Sequence, residues 1–515
     1  MAMLHAAALE RASPLQRSGL QSWTAARLTL GAVIVLRLIY LIWLCPYELA
    51  GDEGYYWEQS RHPDLCYNEK GPALPWIIAG SCWLFGDKEW AVRLPMLVSF
   101  VAAAWGVGKL AISITGNQRA GLLAILCFLL MPAFQANGQI STQDGPLIAI
   151  WVALTAIGLR LFRRWRSGES TWMDWLLMWT VLGIGFLFKQ SILVFLPSIA
   201  LFALLQLKRL KWNIPVLIAQ QFAGIAIFIA LISPMLIWNA RHDWVTFAHT
   251  AGHLGAGGDQ AGQVNRGNAL QWFGNAFGGF VAAFGPAAVA LMAWASIWAW
   301  KRRDDGPDHC ADRIWLIAAT WPAVLFFLGL SFIKPVVPSW PLPHAVPMMA
   351  LLGEFVVYEL HQNQKLFRLT WNTVIAYGLG GWIVVSFLPD FVHLPVFGKL
   401  IERPVALVTG HRADAELLQS VLADLKQRGE PAPLIVARHY MRAGLLSFYS
   451  PSHPTVYTAG KYLGKRSTTF DQWDDTRLDN PALYGRSLLL CGNGDGNNDV
   501  PWSAALIFDS PESLA

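Results

Sequence analysis

Apolar runs of membrane-spanning length, each closed by a short polar or basic break, recur between residues 25 and 388. A helix crossing a bilayer needs roughly 17 to 25 mostly apolar residues, and on that length the pattern predicts a polytopic helical bundle. Runs at 28–44, 94–114, 120–137, 147–162, 214–238, 314–333 and 369–388 read as spans. So do a short pair at 173–188 and 191–207, one span between 270 and 300, and a return from the proline-rich run 335–347 to near Lys365. The sum is about eleven crossings. Residues 73–85 are apolar but too few to cross. They read as a helix at the outer interface that extends a loop from 46 to 93.

From residue 389 the pattern changes. Short β-like runs at 405–409, 434–437, 487–490 and 505–508 accompany a helical period at 413–428 that stops at Gly429. Alternating strand and helix signals predict a small α/β domain. The chain therefore divides into a lead (1–24), an α-helical membrane domain (25–388) and a soluble domain (389–515).

Basic residues orient the bundle. Arg17 and Arg27, the turn with Lys109 and Arg119, the group Arg160, Arg163, Arg164 and Arg166, and Lys301-Arg302-Arg303 mark cytoplasmic ends. The N-terminus is then inside. Loop 46–93, residues 138–146, the tip at Lys189 and Gln190, loop 239–268 and the soluble domain are outside, in the periplasm if the membrane is a bacterial inner membrane. The first span reads as uncleaved, because its polar lead is long and no small-x-small site leads into Asp52. Arg37 lies within that span, where a lone charge is expensive, so it should face the bundle and meet an acid or carbonyls.

Composition agrees. Of 515 residues, 54% are hydrophobic and only 14% charged, where a soluble protein has about a quarter charged. The net charge of +5 lies mostly in short loops, which excludes the concentrated basic face of a nucleic-acid binder. No HEXXH, Walker A or CXXC pattern occurs, and the six cysteines lack zinc-like spacing. Cys66 and Cys491 can pair if both lie outside, but two unrelated thiols is the preferred reading. Residues 492–499 (GNGDGNND) lack the bidentate glutamate of an EF-hand and read as an exposed turn.

Four polar groups share the outer face: Asp52 with Glu53, Glu69 with Lys70, Asp144, and Lys189 with the loop carrying His242, His249 and His253. Each alone has a bland explanation as a solvated acid pair, a snorkelling lysine or a turn before Gly145-Pro146. Their convergence from distant sequence favours a site. An acid in reach of a hydroxyl or amine can act as general base, and cations beside it can hold a phosphate.

The pattern Asp52-Glu53-Gly54-Tyr55-Tyr56-Trp57, then Tyr67-Asn68-Glu69-Lys70-Gly71-Pro72, resembles the first exoplasmic loop of the family-39 glycosyltransferases. These GT-C fold enzymes include protein O-mannosyltransferases and the lipid A aminoarabinose transferase. GDKEWAVRLP (86–95), TQDGPL (142–147), GFLFKQ (185–190), PMLIWNARHDWVTF (234–247) and residues 334–347 agree in order, with weaker echoes at 438–454 and 470–473. The resemblance implies transfer of a monosaccharide from a polyprenyl-phosphate donor to a lipid-linked or cell-envelope acceptor, with inversion at the anomeric carbon. Asp52 would be the catalytic base, Glu53 the less settled half of that pair, and Asp144 the second acidic position. Lys70 and Lys189 would hold the departing lipid phosphate, and Tyr55 and Tyr56 would contact substrate. In the aminoarabinose transferase a glutamate and a loop histidine bind zinc. Glu69 matches that glutamate, and its partner stays open among His242, His249 and His253, with His249 as the candidate. A divalent metal ion is the cofactor so implied; a site without metal reads equally well. Lys70-Gly71-Pro72 stands where the family commonly has Lys-Pro-Pro.

Within the same class the alternative is a protein O-glycosyltransferase. A transporter or lipid flippase would place ionisable residues near the bilayer midplane and show internal repeats. Here the acids cluster in outer loops and no convincing repeat is seen. An inactive scaffold or sensor using the soluble domain is the third reading.

Overall fold

The computed structural model describes residues 14–253, 268–302, 306–362, 364–492 and 503–508. The start of the lead, the end of the histidine-bearing loop and the glycine- and asparagine-rich run after Gly492 lie outside the described residues.

In chain order, α1 (Pro14–Ile39) continues through a π-helical turn (Tyr40–Leu44), and α2 (Gly51–Arg61) and α3 (Ala73–Phe85) occupy the first loop. There follow α4 (Glu89–Thr115), α5 (Gln118–Leu130), α6 (Pro132–Asn137), α7 (Asp144–Ser167), α8 (Trp172–Phe188) and α9 (Phe195–Leu205). Next come α10 (Ile214–Ala240), the short α11 (Val245–His253), α12 (Ala269–Phe284) and α13 (Pro286–Lys301). The last membrane elements are α14 (Pro307–Ala318), α15 (Trp321–Leu330), α16 (Pro347–Gln362) and α17 (Lys365–Phe387).

Six segments among the described residues are long and apolar enough to cross a membrane: α1 with its π turn, α4, α7, α10, α14 running into α15, and α17 continuing to Phe391. The α12–α13 pair makes a seventh if counted as one span bent by 91°. The bend falls at Gly285, whose φ of +90° suits glycine, next to Pro286. The run expected at 120–137 is likewise broken, because Pro132 biases Met131 to an extended backbone and restarts the helix. The chain is an integral membrane protein, and apolar side chains such as Leu28, Leu36, Phe222 and Leu369 are exposed on the outside of its bundle. Arg37 is buried in it, donating from Nη1 to the Gln135 carbonyl at 3.4 Å and lying 4.8 Å over the Phe100 ring. The bundle interior is aromatic: Trp151, Phe162, Phe195, Phe202 and Trp315 pack together. Gly158 lets the Trp315 ring approach, since a Cβ there would stand 2.2 Å from it.

The C-terminal region holds α18 (Phe397–Ala406), α19 (His411–Gln427), β1 (Leu434–Ala437), α20 (Tyr440–Tyr449), β2 (Tyr457–Thr458), β3 (Arg486–Cys491) and β4 (Ser503–Phe508). The strands form one sheet in the order β2-β1-β3-β4, with β1 parallel to β2 and β3, and β4 antiparallel to β3. The expected strand at 405–409 is instead the end of α18 and the turn after it. The buried apolar side chains here are Ile401 and Val405 in the helix and Val408 in the turn, spaced four and three apart, which is a helical and not a strand period. Cys66 and Cys491 are both free and buried.

Candidate active site

Asp52 and Glu53 open α2, where acids suit the helix N-terminus. Glu53 is fully buried. Its carboxylate accepts from Arg93 Nε at 2.9 Å and Nη2 at 2.7 Å, from the Ser141 amide at 2.7 Å and from the Ala50 amide at 2.9 Å. Arg93, also buried, donates in addition to the carbonyls of Tyr47 and Glu48 at 3.0 and 2.8 Å. Glu53 thus ties α2 to α4 and to the segment leading into α7, and it has no face open to a substrate. That burial counts against the expectation of Glu53 as a catalytic acid. Asp52, one residue earlier and so on another face of the helix, keeps 40% of its side chain exposed, with Oδ1 3.6 Å from Lys70 Nζ.

Lys70 also meets the Tyr56 hydroxyl and lies 4.5 Å over that ring. Tyr56 is buried within electrostatic reach of both Asp52 and Asp144; burial first, then those carboxylates, pushes its phenol well above the ordinary range. Tyr55 faces the other way. Its hydroxyl donates to Glu69 Oε2 at 2.7 Å and meets Thr469 Oγ1 at 2.8 Å, while its ring packs on Tyr440 and Phe470. Burial pushes the Glu69 carboxyl up, opposed by Arg466, then Tyr55 and Lys70. The departure at Gly71 has a local reason: a Cβ there would stand 2.0 Å from the Leu187 carbonyl oxygen, so glycine lets this loop close against the end of α8.

Lys189 caps that end of α8 and holds Asp144 Oδ1 at 2.6 Å, 5.9 Å from the Trp340 ring. Asp144 in turn lines a cavity of about 500 Å³, walled by apolar residues such as Ala133, Ala136, Leu342 and Val385, with Thr142 beside it. Lys70 and Asp52 are thus paired, as are Lys189 and Asp144, and Tyr56 lies between the acids electrostatically.

The histidines separate. His242 turns back onto Trp238, with Nδ1 2.7 Å from its carbonyl and the rings stacked at 3.9 Å. His249 has Nε2 2.9 Å from His253 Nε2, and its Nδ1 lies 3.3 Å from Arg466 Nη1. The same Arg466 Nη1 is 3.3 Å from Glu69 Oε1. Among the described residues no three His, Cys, Asp or Glu gather as metal ligands. A guanidinium already supplies positive charge between Glu69 and His249, so this donor set does not fit a divalent ion.

Arg93, Tyr440, Arg466 and Thr469 were not candidates from the sequence. Arg93 carried a usable signal, as a lone charge at the head of an apolar run. Arg466 carried none.

A membrane bundle that presents acids and lysines from its loops and is capped by a small α/β domain has the GT-C glycosyltransferase fold. ArnT from Cupriavidus metallidurans in the apo state superposes with a TM-score of 0.58 at 16% identity, covering 92% of this chain and 94% of that one. The same protein bound to undecaprenyl phosphate gives 0.56, also at 16% identity, over 84% and 86% of the two chains. A family model described as dolichyl-phosphate-mannose-protein mannosyltransferase matches residues 69–238. The undecaprenyl phosphate-alpha-4-amino-4-deoxy-L-arabinose arabinosyl transferase of Serratia proteamaculans is 26% identical over 334 residues, 63% of this chain and 55% of its own length. A lipid A galacturonosyltransferase of Rhizobium johnstonii is 26% identical over 377 residues, 73% and 74% of the two chains. The chain thus spans little more than half the length of the Serratia relative. The resemblance read from the sequence is borne out.

Proposed function

We propose that the chain is a membrane glycosyltransferase that moves a monosaccharide from a polyprenyl-phosphate donor to a lipid-linked or cell-envelope acceptor. The observation that carries this is the conjunction of an exposed carboxylate, two lysines and an apolar cavity: Asp52 beside Lys70, and Asp144 with Lys189 at the cavity. Base, phosphate-holding cations and a slot for a lipid chain then serve one reaction. The Serratia relative's description names an undecaprenyl-phosphate sugar, which supports the donor, and the Rhizobium relative's names lipid A, which supports a lipid-linked acceptor; the family description, naming a protein mannosyltransferase, supports a protein acceptor as the second reading. The basic ends of the helices support a site facing the periplasm of a bacterial inner membrane.

In this mechanism Asp52 takes the proton from the acceptor hydroxyl as its oxygen attacks the anomeric carbon. The bond from that carbon to the phosphate oxygen breaks on the opposite face, so configuration inverts. The phosphate leaves with the electron pair, and Lys70 and Lys189 hold its charge. Before the donor binds, Lys70 pairs with Asp52. Ion pairs this exposed are worth only about 0–1 kcal/mol, so a donor phosphate replaces Asp52 at little cost and leaves the carboxylate free to act. Asp144 orients Lys189, and Glu53 aims the helix that carries Asp52.

The test is Asp52→Asn. Transfer from a purified polyprenyl-phosphate sugar should be abolished while membrane insertion and thermal unfolding stay unchanged. Full retention of transfer would remove Asp52 from the base role. Mass spectrometry of envelope lipids from a strain lacking the protein would then identify sugar and acceptor.

A further inference from the structure

We propose that Arg466 is a positioning residue, a fixed cation lent by the C-terminal domain that joins the Glu69–Lys70 loop to the histidine helix where a metal ion would otherwise sit. The proposal rests on the transferase reading for its consequence, the placing of Lys70, but its geometry stands alone. One nitrogen, Arg466 Nη1, lies 3.3 Å from Glu69 Oε1 and 3.3 Å from His249 Nδ1. The guanidinium carbon is also 5.7 Å from the centre of the Tyr440 ring, so an aromatic face backs the charge. A divalent ion bound by the same oxygen and nitrogen would need the space of Nη1 and would stand against a full positive charge, which is repulsive at any interior dielectric.

The clamp has two further sides. Glu69 Oε2 is taken by the Tyr55 hydroxyl and approached by Thr469 Oγ1 at 3.5 Å, while the buried Oε1 has no hydrogen bond and only the charge of Arg466 at 3.3 Å beside it. Two residues on, Gly71 lies against the Leu187 carbonyl, where even a methyl group would clash. Lys70 is therefore held between a loop of the C-terminal domain and the end of α8, two residues before Lys189. Behind His249, α11 is itself anchored by Lys334, which donates to the Gly252 carbonyl at 2.5 Å. Arg466 acts on the substrate phosphate only through this scaffold.

The experiment uses full-length protein with R466K and R466M. Lysine keeps the charge, and methionine keeps an unbranched apolar chain without it, so a purely packing role would make the two alike. Each protein is incubated with excess zinc, desalted, and assayed for bound metal, thermal unfolding and donor kinetics with and without chelator. Wild type should retain no stoichiometric zinc, and chelator should change neither melting nor turnover. R466M should melt below R466K, with kcat down about tenfold, the scale of one lost charge-assisted hydrogen bond, and R466K should recover most of it. One zinc per chain on wild type, released by chelator with a fall in melting temperature, would overturn the proposal. So would R466M and R466K behaving alike. If no transfer is detected at all, metal content and the melting contrast still decide the role of Arg466, and only the transferase reading fails.

Discussion

Replacing Glu53 with glutamine separates a strut from a catalyst. Glu53 is 0% exposed and Arg93 2%, and four N–H donors converge on the two carboxylate oxygens. Glutamine keeps the shape. Its oxygen can still accept from Arg93 Nε and the Ser141 amide, but its NH₂ then faces Arg93 Nη2 and the Ala50 amide, donor against donor. Breaking a buried ion pair by removing one partner costs about 3–5 kcal/mol, because the remaining charge has lost its counterion. Arg93 keeps two backbone carbonyls, so the lower end, about 3 kcal/mol, is the expected loss. At about 2.1 cal/mol/K per residue a chain of 515 residues shifts by about 1 °C per kcal/mol, so the melting temperature should fall by about 3 °C. The 26 tryptophans make intrinsic fluorescence a direct readout in detergent. Transfer should fall too, since Ser141 leads toward Asp144 and both acids lose their aim. Arg93→Gln in the same chain should recover part of the stability. If E53Q melted like wild type and lost only turnover, the carboxylate would be acting in the chemistry and the argument from burial would be wrong.

Three further outcomes follow from the same geometry. In Gly444→Val the new Cβ would stand 2.6 Å from the Gly54 carbonyl, so α20 must lift from α2; overpacking costs about 1–3 kcal/mol, and both melting temperature and turnover should drop. Normal values for both would show that the C-terminal domain does not brace the site. Ala136→Phe should fill part of the 500 Å³ cavity and raise KM for a long-chain polyprenyl donor more than for a short-chain one, with kcat nearly unchanged; equal effects on both would remove the lipid chain from that cavity. Single cysteines in place of Lys88 and Asn117 should differ toward an impermeant maleimide added from the periplasmic side, with only the first labelled. Labelling of the second would invert the expected topology of α4 and α5.

The bundle was legible because long apolar runs state their own length, and Arg37 because a charge inside one demands a partner. Less was legible where the deciding contact lay far along the chain. Glu53 and Asp52 look alike as neighbours in a loop, and only Arg93 and Ser141, brought in by α4 and the segment before α7, make one a strut and leave the other exposed. The run at 405–409 is too short for a period to show, and its helical spacing emerges only with Ile401, which lies outside it. Gly71 first read as a departure from a family pattern; the approach of Leu187 gives it a cause. Arg466 sits in a polar stretch of the soluble domain whose composition resembles any solvated loop.

The contiguous pattern Asp52-Glu53-Gly54-Tyr55 now has a geometric explanation. Successive residues on a helix point about 100° apart, so four of them sweep nearly the whole circumference. Asp52 points to Lys70, Glu53 to Arg93 in the membrane bundle, and Tyr55 to Glu69 and Thr469. Gly54 meets α20, where a Cβ would come within 2.9 Å of Leu445, and Gly444 returns the same close approach. Each of these four directions meets another part of the protein. A rotation that improved the aim of Asp52 would have to break a buried ion pair, open a glycine–glycine contact or unseat Tyr55. The direction of one half-exposed carboxylate is therefore fixed jointly by the membrane helices and the C-terminal domain, which makes that domain part of the proposed site and not an appendage to it.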